Sequence, residues 1–433
     1  MDIIILLIGF FLLFKGKLAW VLFTIIFLTS SYLGLGTDIS IFPIEHNVSD
    51  AGLILYLALC FYILNKSKFK LEKTIMSKYL IILYIFLVIT FIIDLLFNNI
   101  GFISIIKTSR HWIFLSCIWF FYYIPYKEIR NLIDYLFTST VIISLIMLVE
   151  FFFETQILGK EYETLVSESG NFLTRGSIPS TFVPFFLLFL FTPFYTFKLK
   201  TKNFYIVLFS AVLITSVIRS WYLAMIVGFI ILLFLQNKLK VKTIFTGILI
   251  MSGLIVAVSF NPIIKERFKE GFEEVQNFNF STEKDLQGNY SFRMLHAEER
   301  INYILQNVQY TFFGLGNVTE ENFPEVFAIG LVADTGGVIQ LDTADIAWST
   351  LFIRLGLLGT SLYLLFFVSI LVFFYRNRKN NPLATVTFVY LFINLTILSF
   401  ASSTMATGQF FIFPVLLYFL SKRKLVKVKY INN

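Results

Sequence analysis

Residues 204–236 form one apolar stretch, FYIVLFSAVLITSVIRSWYLAMIVGFIILLFLQ, with an arginine, Arg219, near its centre. A charged side chain at the centre of a bilayer costs about 2.5–3.5 kcal/mol even on the cheaper insertion scale, and it is a functional candidate by default. Lysines precede the stretch at 198–202 and follow it at 238–242. Because lysine-rich loops mark the cytosolic side of a membrane, both ends are predicted to lie in the cytosol.

The stretch therefore predicts two membrane spans joined by a turn at Arg219 and Ser220. Each arm has roughly 15–17 residues, which is about 22–26 Å of helix and less than the ~30 Å hydrocarbon core. The turn is predicted to lie below the outer surface, where it presents the Arg219 guanidinium at the mouth of a cavity. An anion is the expected partner of a cation at that depth.

The whole chain has the composition of a polytopic membrane protein. Of its 433 residues, 57% are hydrophobic and 14% are charged, and the mean hydropathy is +0.79. These values predict an all-α polytopic integral membrane protein with about 12–13 transmembrane helices in a single domain, residues 1–433. The first apolar run has no basic segment before it, so it is interpreted as a short span or an interfacial helix and not as a cleaved signal. The candidate spans are residues 2–14, 18–35, 51–64, 79–97, 109–124, 131–152, 179–197, 204–218, 220–236, 244–260, 344–375, 383–403 and 408–421.

The net charge of +8 is distributed as an orientation signal and not as a binding patch. Most Lys and Arg residues fall in short segments between the apolar runs, so no nucleic-acid partner is expected. Cys60 and Cys117 lie in apolar runs and the three histidines are scattered, so no disulfide, zinc or other metal site is predicted. The chain has no glycine motif for phosphate binding, and we expect no cofactor.

Two segments between the apolar runs are long, and both are predicted to be extracytoplasmic. They are the first long loop, residues 153–178, and the large loop, residues 261–343. The predicted cytosolic loops are all too short to fold into a nucleotide-binding domain. Any chemistry is therefore expected at the outer face of the membrane, and it must proceed without ATP.

The large loop contains a predicted amphipathic helix, SFRMLHAEERINYILQNVQ, at residues 291–309. Its polar face is either a solvated basic surface or a surface that closes over the cavity containing Arg219. In the second case Arg219 and Arg293 approach one point, which suits a pyrophosphate, because guanidinium groups bind phosphate oxygens in pairs and stay charged. The polar face comprises Arg293, His296, Arg300, Tyr303 and Asn307, and the apolar stripe comprises Met294, Ala297, Ile301, Ile304 and Val308.

Two acids at the end of the large loop have two interpretations. They predict either a helix cap, with Asp342 as N-cap and Asp345 in the first turn, or a general base that deprotonates a hydroxyl group. Arg354 follows one or two turns into the next apolar run, where it faces the cavity or extends to the interface. Arg175, in the first long loop, is either a surface charge or a substrate contact.

Two further acids, Asp94 and Glu150, lie near the outer ends of predicted spans. Acids at such depth are functional candidates. They are equally suited to neutralise Arg110 or Arg219, and in that case their role is structural.

Three stretches, taken in order, resemble the O-antigen polymerase and O-antigen ligase superfamily. The first is RGSIP at 175–179, just before a span, and the second is TSVIRS at 215–220. The third is the large loop with its arginine-led helix, a Gly-x-Gly turn at 314–316 and a Gly-Leu-Leu-Gly segment at 356–359. The resemblance covers roughly residues 130–410, and the order of the motifs carries more of it than any single motif.

This resemblance implies a helical glycosyltransferase in a bacterial inner (plasma) membrane, with its active site on the extracytoplasmic face. Donor and acceptor would be undecaprenyl-diphosphate-linked glycans, used without metal or nucleotide, with membrane lipid and a chain-length regulator as further partners. By motif position, Arg219 and Arg293 would hold the donor diphosphate and stabilise it as it leaves. The other candidate site residues are Asp342 and Asp345 as catalytic groups, and Arg175, His296, Arg300, Tyr303 and Arg354 as substrate-binding groups.

The resemblance favours a polymerase, which moves a growing glycan from one lipid diphosphate onto the sugar end of another lipid-linked repeat unit. Ligases of the family carry a histidine at the start of the span after the large loop, where this chain has Asp342 and Asp345. A ligase that uses another acceptor remains an alternative, and so does a transporter or flippase for lipid-linked sugars. A flippase has no need of so large an outer loop, so the loop favours an enzyme.

Overall fold

The structure is a computed structural model, and the residues it describes are mainly helical. These residues are 2–29, 50–71, 74–98, 100–153, 157, 163–166, 172–175, 182–192, 197–216, 218–236, 269, 289–318, 327, 341, 346–379 and 381–431. The helices up to residue 235 are α1 (Asp2–Phe14), α2 (Leu18–Thr29), α3 (Asp50–Lys66), α4 (Ile75–Leu96), α5 (Phe102–Ser109), α6 (Cys117–Phe120), α7 (Tyr126–Phe153), α8 (Phe182–Leu190), α9 (Leu199–Thr215) and α10 (Arg219–Leu235). Those that follow are α11 (Asn289–Gln306), α12 (Val308–Phe313), α13 (Ala347–Asn377), α14 (Pro382–Thr396) and α15 (Ile412–Ile431).

Four of the described helices are long and apolar enough to cross a membrane. They are α4, α7, α13, and α14 with the 3₁₀ turn that extends it to Phe400. Shorter apolar helices accompany them at Ile3–Phe14, Leu18–Thr29, Ser220–Leu235 and Gly408–Lys422. The prediction of a helical membrane protein is confirmed at this level. The predicted span at 244–260 lies outside the described residues.

Helix α4 shows how these helices meet both lipid and protein. One face carries exposed Ile81, Ile85, Val88 and Ile92, whereas the opposite face buries residues that include Phe86. A helix that is apolar on all sides is stable only inside a large core or in a bilayer. The exposed aliphatic face is therefore assigned to lipid, and the buried face packs against α13.

Helices α14 and α7 each pack against several other helices. Helix α14 contacts α8, α10, α13 and α15, while α7 contacts α2, α9 and α15. Phe137 of α7 lies edge-on to Phe186 of α8 and to Tyr205 of α9, with ring centroids 5.2 and 5.1 Å apart. At the start of α2, the Ala19 backbone N–H donates to a Glu128 carboxylate oxygen at 2.8 Å. This bond satisfies one of the donors that the first turn of a helix leaves unpaired.

Three segments differ from the secondary structure expected from the sequence. The predicted span at 109–124 is divided into 3₁₀ turns at Arg110–Ser116 and Phe121–Tyr123 around the short α6. After α14 the chain continues through 3₁₀ turns to Phe411 before α15 begins. In the first long loop, Glu163–Val166 and Phe172–Arg175 form strands β1 and β2 of an antiparallel hairpin, in which Glu163 is the register partner of Arg175. The sequence analysis did not predict this hairpin.

Candidate functional site

A break near the middle of the apolar stretch is present, but it lies between Thr215 and Arg219 and not at the predicted Arg219 and Ser220, which begin α10. Helix α9 ends at Thr215 and α10 begins at Arg219, and each has 17 residues. At 1.5 Å per residue, each arm is about 25 Å long and shorter than a ~30 Å hydrocarbon core. The residue before α10, Ile218, is its N-cap, and its side chain makes no capping hydrogen bond. The side chains of Arg219 and of Arg175, the last residue of β2, lie outside the described part of the chain.

The polar face of α11 is turned into the protein. His296 and Arg300 of the polar face are each 0% exposed, as is Ile304 of the apolar stripe, and α11 packs against α13. Val308, which the periodicity placed on the apolar stripe, is 79% exposed. The reason is a break at Asn307, whose φ of −102° and ψ of 98° end α11 and redirect the chain into α12. The interpretation of the polar face as a solvated surface is therefore wrong for His296 and Arg300.

His296 contacts the first turn of α13 through a serine that the sequence analysis did not single out. The Ser349 hydroxyl and His296 Nδ1 lie 3.1 Å apart, and both side chains are buried. A buried polar group that loses its hydrogen-bond partner costs about 1–3 kcal/mol, so this pair fixes where α11 sits on α13. The only sequence signal was a hydroxyl residue near the start of an apolar run, which is weak.

The buried positive charge of Arg300 is stabilised by the groups around it. Its guanidinium lies 2.6 Å from the Glu299 carboxylate and 4.2 Å from the centroid of the Phe327 ring. Phe327 also lies edge-on to Tyr303, which stacks on Tyr310. A buried arginine held by a carboxylate and an aromatic face supports the packing of its helix. Arg293, two turns earlier on α11, is half-buried.

Two glycine motifs meet where the chain after α12 crosses α13. Gly314 and Gly356 both have positive φ, 70° and 61°, and Gly356 forms a kink within α13. A Cβ on Gly314 would lie 2.6 Å from the Gly356 nitrogen, so the two backbones touch. The Leu315 N–H donates to the Ile353 carbonyl at 2.7 Å across this crossing. The glycine motifs at 314–316 and 356–359, which are 40 residues apart in the sequence, thus form one backbone contact.

A buried polar cluster fastens this crossing to α4. The Asp94 carboxylate accepts hydrogen bonds at 2.8 Å from both the backbone N–H and the side-chain amide of Asn317. Asn98 donates to the same carboxylate at 2.9 Å. Arg354 donates to the carbonyls of Val318 and Gly316. Asp94 and Arg354 are therefore engaged in holding the turn after α12 and not in lining an open cavity.

The acids predicted to neutralise Arg110 do not do so. Arg110 forms a buried ion pair with Asp50, the first residue of α3, at 2.8 Å. Glu150 accepts a hydrogen bond of 2.6 Å from the backbone N–H of Ile157. Of the alternatives that the sequence left open, neutralisation of Arg110 by Asp94 or Glu150 is not observed, since Asp50 has that role. Position along a span does not reveal which helices are neighbours.

The capping interpretation of Asp342 and Asp345 was also wrong. Helix α13 begins at Ala347 with Ile346 as its N-cap, and it has no acid in its first turn. The Ile346 side chain makes no capping hydrogen bond. Both aspartates lie outside the described residues, so their predicted role as bases stays a prediction.

Within the described ranges, no group of three or more His, Cys, Asp or Glu side chains is placed to hold a metal ion. The first three turns of α13 are where α11, the chain after α12 and the segment after α14 converge, and they form the candidate functional site. No protein-family model matches this chain, and no curated protein matches it either.

Proposed function

We propose that this protein polymerises lipid-linked oligosaccharide repeat units at the outer face of a bacterial plasma membrane. A hydroxyl at the sugar end of one lipid-linked repeat unit attacks the anomeric carbon of the growing glycan. A new glycosidic C–O bond forms, the C–O bond to the donor's undecaprenyl diphosphate breaks, and the hydroxyl proton passes to a base. The reaction needs no nucleotide, because the glycan is already activated by its bond to the diphosphate, which is a good leaving group.

The observation that carries this proposal is the burial of the polar face of α11 on the first turn of α13. It supports a basic loop helix, which carries the half-buried Arg293, held against a membrane helix. Negative charge builds on a diphosphate as it leaves, and a fixed guanidinium stabilises that charge most where water is scarce. Arg293 is accordingly assigned to the leaving diphosphate.

The start of α10 supports a second contact to the same group. Arg219 is the first residue of that helix, and the side chain of the N-cap, Ile218, accepts no hydrogen bond from the first backbone N–H groups. Such a helix terminus attracts anions, and a cation at that position is disfavoured unless an anion accompanies it. We assign Arg219 to the diphosphate as well, with Arg175 as a third contact.

The remaining candidate residues are assigned either a role in the reaction or a role in positioning α11. Asp342 and Asp345, which precede α13, are proposed as the base for the acceptor hydroxyl. His296, Arg300 and Tyr303 are proposed to act through the position of α11, because their contacts in the described part of the chain are with protein groups. Arg354 is not retained as a substrate contact.

The proposed function requires a particular topology. About 12–13 crossings place the loops at 153–178 and 261–343 outside and the C-terminal tail in the cytosol. The short apolar helices are then spans or half-spans within the bundle, and the break before Arg219 opens towards the outer face.

Purified protein in nanodiscs, supplied only with the host's undecaprenyl-diphosphate repeat unit, tests the proposal. A ladder of products without nucleotide, which persists in excess EDTA, is the expected result. Extension only after another acceptor is added indicates a ligase. Movement of the lipid-linked sugar across the bilayer, with no new glycosidic bond, indicates a flippase and overturns the proposal.

A further inference from the structure

We propose that Trp348, Phe400 and the hydroxyl-rich turn after α14 form a saccharide-binding subsite for a neutral sugar of the lipid-linked repeat unit. This inference rests on the proposed function and names where the acceptor glycan is held. The turn is defined as residues 398–411, LSFASSTMATGQFF.

The two aromatic rings lie side by side at the start of α13. Trp348 is half-buried, and its indole N–H donates to the buried Ser399 hydroxyl at 2.9 Å. Ser399 in turn donates to the Leu395 carbonyl at 2.6 Å, so the indole orientation is fixed from α14. Phe400 is 52% exposed, and its ring centroid lies 6.2 Å from that of Trp348 at an interplanar angle of 45°. One fixed ring and one exposed ring thus make an angled aromatic surface.

Hydroxyl and amide groups lie along the turn beside these rings. Ser402 and Thr404 have their hydroxyl oxygens 2.6 Å apart, and both residues are half-exposed. Each hydroxyl donates one hydrogen bond and accepts two, so both retain capacity for a ligand. The carboxamide oxygen of Gln409 is buried and makes no hydrogen bond within the described part of the chain. A buried amide oxygen without a partner is costly, which favours a donor that is supplied from outside the protein.

The backbone of this turn is also unusual for a membrane protein. It consists of short 3₁₀ turns at Leu398–Phe400, Thr404–Ala406 and Gly408–Phe411. Irregular backbone at membrane depth is tolerated where it is buried in protein or lines a water-filled cavity. Four half-exposed hydroxyl side chains in a segment of this kind indicate contact with a polar phase, and they are Ser402, Ser403, Thr404 and Thr407.

The chemistry of the surface favours a sugar over other ligands. The turn contains no Asp, Glu, Lys or Arg, so it offers no charge for an ionic ligand. A pyranose has an apolar face of C–H bonds, which stacks on the electron-rich face of an aromatic ring, and an edge of hydroxyl groups. The edge matches the serine, threonine and amide groups of the turn. A neutral, polyhydroxylated ring satisfies both parts of the surface.

The position of this surface connects it to the rest of the candidate site. Trp348 is followed in the chain by Ser349, whose hydroxyl contacts His296 of α11. The helix that carries Arg293 and the aromatic surface therefore meet at one turn of α13. A glycan bound to the rings would lie beside the helix assigned to the diphosphate, as the acceptor of the reaction must.

The test measures sugar binding apart from catalysis. The probe is the repeat-unit oligosaccharide released from the host's lipid carrier by mild acid, which lacks the diphosphate. Binding to protein in nanodiscs is followed by saturation-transfer NMR and titration, with inorganic diphosphate as a second probe. The variants are Phe400→Ala, which removes an exposed ring, and Trp348→Phe, which keeps a ring but loses the hydrogen bond to Ser399. Phe234→Ala, at a 64% exposed position on α10, is the matched control.

The wild-type protein is expected to bind the oligosaccharide, and Phe400→Ala to weaken that binding about fivefold to tenfold. Trp348→Phe should weaken it less, Phe234→Ala should not change it, and diphosphate binding should persist in all variants. Unchanged oligosaccharide binding in Phe400→Ala overturns the inference and means that the rings are an aromatic belt at the lipid interface. If sugar binding depends on Phe400 but no polymer forms, the subsite stands and the proposed function fails. If polymer forms normally in Phe400→Ala, the proposed function stands and the saccharide subsite is wrong.

Discussion

Asp94 and Asn317 are 223 residues apart in the chain and are joined by two hydrogen bonds of 2.8 Å. The Asp94 carboxylate on α4 thereby holds the turn that follows α12. The same turn crosses α13 at Gly356, so three distant parts of the chain share one contact. The position of α11, which carries the candidate arginines, depends on this contact because α11 leads directly into α12.

Removing the Asp94 carboxylate should lower the stability of the protein. Hydrogen bonds to a charged group contribute about 1.5–3 kcal/mol each, and Asp94→Ala leaves the half-buried Asn317 donors without this acceptor. We expect a clear fall in the melting temperature in detergent, and a smaller fall for Asp94→Asn, which keeps one amide oxygen. Asp134→Asn, whose side chain is 45% exposed, is the control and should melt like the wild type. A wild-type melting temperature for Asp94→Ala contradicts the assigned role.

The glycine crossing should not tolerate a methyl group. Gly314→Ala places a Cβ 2.6 Å from the Gly356 nitrogen, and Gly356→Ala places one 2.7 Å from the Phe312 carbonyl carbon. Positive φ adds roughly 1–2 kcal/mol for a residue with a side chain. Both variants should yield little monodisperse protein on size-exclusion chromatography. Gly228→Ala is the control, because its nearest neighbour would lie at an ordinary 3.5 Å. Normal yields for both crossing variants would show that the contact adjusts.

Arg219 and Arg293 should act as one unit on the diphosphate. Arg→Ala at either site is expected to abolish polymer at normal protein levels, while Arg→Lys restores part of it, because lysine keeps the charge without the paired geometry. The double variant should be little worse than either single one. Product ladders from purified protein measure this.

The control for the arginine experiment is Asn302→Ala on the exposed side of α11. Arg300→Ala should instead reduce the amount of folded protein, since Arg300 is buried against Glu299 and Phe327. Polymer of normal length from Arg219→Ala would make that residue structural and the diphosphate site wrong.

The contact between His296 and Ser349 should be measurable as a coupling energy. Ser349→Ala, His296→Ala and the double variant form a cycle, and we expect a coupling of about 0.5–1.5 kcal/mol for a buried hydrogen bond. Melting temperatures in nanodiscs report it. Ser361→Ala is the control, because that exposed hydroxyl bonds only to the Leu357 carbonyl of its own helix. Additive effects in the cycle would mean that the two side chains do not interact.

The orientation of the large loop can be read by cysteine labelling. The native cysteines, Cys60 and Cys117, are buried and should not react with a charged maleimide in intact cells. Asp285→Cys should label from outside, whereas Lys429→Cys should label only after the inner face is opened. Labelling in the opposite sense would reverse the proposed topology.

Local features of the sequence predicted the helices and the break around Arg219. An apolar stretch too long for one span and too short for two full spans requires a turn near its middle. The lysines at both ends predict that both ends face the cytosol. The same local reasoning placed a helix at 291–309, close to the observed α11. The two glycine motifs were noted only through the family resemblance, and their positive φ angles became known from the structure.

Which residues face each other was decided only by the tertiary structure. Periodicity divided α11 into two faces, but it does not reveal which of them packs against another helix, and His296 and Arg300 are buried against protein groups. The pairs Asp94 with Asn317, Arg110 with Asp50 and His296 with Ser349 join segments that are far apart in the chain. Residue types and spacings along one chain contain no information about such distances, because they depend on how the helices pack.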